Sequence, residues 1–163
     1  MWFVMYACYL LNFISVALLM ITAAQGYLPF HLIQANHAST ALLAIIIYLF
    51  TQTLIIFFFT GTGVNIRDYI KENHGNKELH ERSKAIKYKL FSPILLNILG
   101  FMIIFIVGGA VHTRGFPGWI HGLLFWGFII HYIRILIIEH NCFKENTNII
   151  LEMTGIKKQS LAK

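Results

Sequence analysis

The sequence predicts an all-α integral membrane protein: a four-transmembrane-helix antiparallel bundle with both termini cytoplasmic. Three observations carry that reading. Hydrophobic residues make up 57% of the chain and charged residues only 12%, about half the charge of an ordinary soluble domain. Four apolar runs each reach the roughly 20 residues that a helix needs to cross the hydrocarbon core. The basic residues cluster in alternate connections, as the positive-inside rule requires of an even number of crossings. Disordered, collagen-like and coiled-coil classes fail on the same composition.

The first run, residues 2–24, holds no charge. Thr22-Ala23-Ala24 has the small residues of a cleavage site. No Lys or Arg precedes the run, however, and it exceeds a signal-peptide h-region, so it is read as an uncleaved span. The second run, 38–60, is also uncharged. Gly61-Thr62-Gly63 then reads as a helix-ending turn, since the Lys and remaining glycines of a phosphate loop are missing. The third run is 91–111. The fourth, 119–138, contains Arg134 near its end, where a long side chain reaches the interface. All four runs are continuous rather than alternating, which favours helices over barrel strands.

The loop 61–90 carries Arg67, Lys71, Lys77, Arg82, Lys84, Lys87 and Lys89, and the tail 139–163 carries Lys144, Lys157, Lys158 and Lys163. Residues 25–37 carry no Lys or Arg, and 112–118 only Arg114. The loop and tail are therefore expected in the cytoplasm, with a bacterial inner membrane as the location. The net charge of +6 is a topology signal and a contact for anionic lipid, not a nucleic-acid footprint. Ile66, Tyr69 and Ile70 beside Arg67 and Lys71 suggest an interfacial helix continuing the second span. Cys8 and Cys142 stand alone at opposite ends and form no metal or disulfide motif.

Eight histidines are many for a membrane chain. The topology places His31, His37, His112 and His121 at the outer side, His131 deeper, and His74, His80 and His140 on the cytoplasmic side. Imidazole is a common metal ligand and an axial ligand of haem iron. On diagonal helices, His37 and His121 suit two axial ligands of a haem b, with His112 as an alternative ligand or a neighbouring support. The other arrangement is a copper or zinc ion held by His37, His112, His121 and His31. Gly108, Gly109 and Ala110 leave room beside the third span.

A second polar layer gathers Gln52, Asn97, His131 and Arg134, about 9–12 Å inside the cytoplasmic boundary for the first three. Such residues suit a quinone, or plain helix-to-helix hydrogen bonds. No Asp or Glu falls in the four runs, which argues against a carboxylate relay of the kind proton-coupled carriers use.

The architecture is similar in form to small four-helix b-type cytochrome subunits, with no motif carrying the likeness. The expected function is a small membrane redox subunit that exchanges electrons with a quinone or a partner protein. The competing readings are an accessory or scaffold subunit of a larger membrane complex, and a membrane enzyme using histidine-bound copper or zinc.

Overall fold

A computed structural model describes residues 2–28, 35–73, 76–113 and 115–155. It contains four long helices: α1 (Trp2–Tyr27), α2 (His37–Glu72), α3 (Lys77–His112) and α4 (Gly118–Met153). All four are long and apolar enough to cross a membrane. Helix α1 packs on α2, α2 on α3 and α3 on α4, and α2 also touches α4. The end of each helix meets the start of the next. Gly26 faces His37, Gly63 faces Lys87 and Ser83, and Gly108 faces His121.

Large apolar residues point outward: Phe3, Leu10 and Phe13 on α1, Phe57 on α2, Ile106 on α3 and Leu123 on α4 are all exposed. The buried stripe of α1 is instead Cys8, Asn12, Ser15, Leu19, Thr22 and Gln25. These residues recur at steps of three and four, the seam spacing of closely packed helices. Lipid is as apolar as leucine, so apolar bulk faces the bilayer while small and polar groups draw the helices together.

Three helices run beyond the expected spans. The segment read as a loop, 61–90, is helical at 61–72 and 77–90. At about 1.5 Å per residue, the 36-residue helices α2, α3 and α4 are about 54 Å long, against about 30 Å of hydrocarbon. Asn36 and Asn76 cap α2 and α3 by accepting from the Ser39 and Glu78 amides.

Gly61-Thr62-Gly63 does not end α2. Gly63 is buried, and a side chain there would collide with the end of Lys87, so the glycine allows α3 to approach. The expected helical continuation of the second span is present, with Ile66 and Ile70 buried within the bundle and Arg67 and Lys71 exposed. Arg82 of α3 binds both Glu145 and Glu152 of α4, each at 2.6 Å, and clasps the two helices in this extension.

Within the spans, Gly100 lies directly under the Phe128 ring of α4, and a Cβ there would overlap the ring. Gly100→Ala should therefore lower stability by about 1–3 kcal/mol in thermal melts of the detergent-solubilised protein. Adding Phe128→Leu should recover most of that loss. A Gly100→Ala protein that melts like the parent would show that the helices do not approach this closely.

Candidate functional site at the outer end of the bundle

Helices α1 and α2 place two groups at the same level. Asn36 caps α2 with His37 as its first residue. The His37 ring turns back to α1, where Nδ1 lies 2.9 Å from the Thr22 carbonyl oxygen. A carbonyl can only accept, so Nδ1 carries the proton and Nε2 keeps its lone pair in the neutral ring. On α4, one turn after Pro117, His121 meets the Ile104 backbone of α3, and its Nδ1 is buried without a partner. A Cβ on Gly108 would stand 3.0 Å from His121 Cε1, so the glycine makes space for the imidazole.

The two rings face each other with centroids 6.4 Å apart and planes at 88°. Both line a cavity of about 890 Å³ enclosed by all four helices. That volume falls in the range of cofactor sites. Small residues open the cavity, notably Ala41, Ala44, Gly108 and Gly109, while Phe101 and Phe125 lie toward its inner end. Trp126 Nε1 donates to Tyr27 Oη at 3.1 Å and ties α4 to the end of α1 beside it.

The structure thus brings together two of the expected ligands. His112 lines the same cavity but is exposed at the end of α3. His31 lies outside the described residues. Among the described residues no three His, Cys, Asp or Glu side chains converge as a metal-holding group. The copper or zinc site of His37, His112, His121 and His31 is thus not assembled among the described residues.

The deeper layer is a set of helix-to-helix hydrogen bonds. Asn97 Nδ2 donates both to the Phe128 carbonyl at 3.1 Å and to His131 Nδ1 at 3.0 Å. Its Oδ1 accepts from Tyr48 Oη at 2.6 Å. With both amide hydrogens used, His131 Nδ1 acts as an acceptor. Gln52 Nε2 donates to Asn12 Oδ1 at 3.2 Å, and Tyr132 Oη donates to the same oxygen at 2.8 Å. Ser15 and Thr51 hydroxyls meet at 3.2 Å. Arg134 is exposed and makes no hydrogen bond to this layer.

One member was missed from the sequence. Glu139 is only 1% exposed, and its Oε2 accepts from Asn12 Nδ2 at 2.6 Å. It had been assigned to the tail because the apolar run stops at Ile138. The helix does not stop there, and a buried carboxyl joins the polar layer although none falls within the four apolar runs. Buried residues recur at Tyr132, Ile135, Glu139, Cys142, Asn146 and Ile149, alternating steps of three and four that a seam pattern could have shown.

No protein family, curated protein or solved structure matches this chain.

Asn12 serves three partners at once, so Asn12→Leu should cost about 2–3 kcal/mol by melting. Ser15→Ala removes a hydroxyl that meets Thr51 and Tyr132 and should cost less, about 0.6 kcal/mol. Equal losses would show that Asn12 is not the junction of the layer.

Proposed function

We infer that this chain is an antiparallel four-helix membrane bundle that holds a haem b near its outer face between His37 and His121. The observation that carries the reading is the pair of imidazoles facing across the cavity with centroids 6.4 Å apart. Imidazole is a common ligand of haem iron, so His37 and His121 would be the residues to hold the group. The Thr22 carbonyl supplies the outer hydrogen bond that fixes the tautomer of a ligating histidine. The unpartnered nitrogen of His121 supplies the second lone pair.

The chain's own groups would do four things. His37 and His121 would hold the iron, and the Thr22 carbonyl would orient the first of them. The small residues of α2 and α3 make room for the macrocycle. Phe101 and Phe125 close the inner end and exclude water. The bound group supplies one-electron Fe(III)/Fe(II) chemistry, with a quinone or a partner redox protein as the other member of the couple.

The basic extension made by α2, α3 and α4 then lies in the cytoplasm together with both chain ends, and the membrane is a bacterial inner membrane. The Asn97 amide and Gln52 Nε2 bond from helix to helix, so the deeper layer is assigned to packing rather than to quinone binding.

The test is the absorption spectrum and iron content of protein purified from haem-replete cells. A Soret band with one haem per chain is expected. His37→Ala and His121→Ala should each abolish it, while His112→Ala should retain it. Gly108→Val, which pushes on His121, should lower haem occupancy. A colourless, metal-free protein that co-purifies with fixed partner subunits would overturn the proposal and favour the accessory role.

A further inference from the structure

Glu139 lies outside the cavity and takes no part in the haem reading. Phe143, one turn further along α4, still stacks on Tyr9, Phe58 and Phe59. Asn12, which binds the carboxyl, is about 15 Å along α1 from Trp2. The carboxyl is therefore inside the apolar zone, between α1, α2 and α4.

Its hydrogen bonds do not close for a carboxylate. Oε2 accepts from Asn12, but Oε1 is buried without a partner. Gln52, which is 0% exposed, lies within hydrogen-bonding reach of the carboxyl, and one hydrogen of its Nε2 goes to Asn12 Oδ1 at 3.2 Å. Gln52 Oε1 is also buried without a partner. Two unmet acceptors side by side in a buried site are costly. A single proton on Glu139 supplies the donor that both oxygens lack.

The surroundings offer no counter-charge. The titratable groups facing the carboxyl are Cys8 and Tyr9 on α1, Tyr48 on α2, and Tyr132 and Cys142 on α4. None is cationic. His140 is engaged by Tyr9, and Lys89 of α3 lies toward Cys142. No Lys, Arg or His among the described residues pairs with Glu139. An unpaired carboxylate in such a place is far costlier than a hydrogen-bonded acid.

We propose that Glu139 is a membrane-embedded proton-binding site, held as the acid with Oε1–H donated to Gln52 Oε1 and Oε2 accepting from Asn12 Nδ2. The proton is taken from water and returned to it, and only the O–H bond is made or broken. Its release leaves one negative charge where three helices meet, so proton occupancy and helix packing are linked.

Infrared spectroscopy of the purified protein at pH 7 tests this directly. The other six acidic residues give no acid signal there: Glu72, Glu78 and Glu81 are exposed, Asp68 pairs with Arg67, and Glu145 and Glu152 pair with Arg82. A carboxylic-acid C=O band above the amide region, moving down in D2O, is expected. Glu139→Gln should remove the band yet melt at or above the parent temperature, because its amide still donates to Gln52 and accepts from Asn12. Gln52→Leu should shift the band to higher wavenumber by removing the acceptor. The absence of an acid band in the parent protein, or its survival in Glu139→Gln, would overturn the proposal. Difference spectra against Glu139→Gln cancel any haem propionate signal, so the result stands whether or not the protein binds haem.

Discussion

Hydrocarbon offers no water to a polar group, and that constraint organises this bundle. Asn12, Gln52, Asn97 and Glu139 are each nearly sealed from the surface, so their partners must come from neighbouring helices. Two asparagines do most of the joining. Asn12 on α1 binds Gln52 of α2 and both Tyr132 and Glu139 of α4. Asn97 on α3 binds Tyr48 of α2 and the Phe128 carbonyl and His131 of α4. The Tyr48 and Tyr132 rings touch edge to face at 5.1 Å and join the two groups. A slide of one helix by a single turn would break several of these bonds together. The layer therefore sets register, which apolar contact with lipid-like side chains does not do.

The two ends differ because the layer holds the middle. Toward the end that carries the basic extension the seam continues through Ile66, Ile86, Leu90 and Ile149, all nearly fully buried, and Arg82 joins α3 to α4. That end is closed. Toward the other end the seam residues shrink to Ala41, Ala44 and Gly108, and a cavity opens in which the polar groups are chiefly imidazoles. A bundle with only apolar packing would collapse such a space. Here the Thr22 carbonyl, the Asn36 cap and the Trp126 bond to Tyr27 fix the positions of His37 and of the helix ends around it.

The four helices and the common depth of His37 and His121 were legible in the sequence, because hydropathy and rise per residue are properties of the backbone in a bilayer. The helix ends were not. Hydropathy marks where the bilayer stops, whereas α2, α3 and α4 continue in a region where charged residues are good helix formers. Gly61-Thr62-Gly63 was misread for a related reason: a glycine that reads as punctuation in a loop serves as a contact point when another helix lies over it. Glu139 fell outside the fourth run because a charge ends a hydropathy count. The seam spacing around it kept its phase, and that phase, rather than polarity, decides which residues face inward.

The placement of Glu139 also bears on how the two ends of the bundle can communicate. His121 and Glu139 are 18 positions apart on one helix, about 27 Å by helical rise. At an effective dielectric constant of about 20, unit charges at that separation interact by roughly 0.6 kcal/mol. That is less than half of the free energy of one pKa unit. A charge change at the histidines would thus scarcely alter proton binding at Glu139 through the field alone. Packing offers a shorter connection. Phe101 and Phe125 line the cavity and touch each other, and Phe101 also packs on Tyr48 and Tyr132 of the polar layer. Phe101, which lines the cavity and packs on the polar layer, is the ring through which a packing change at one site reaches the other.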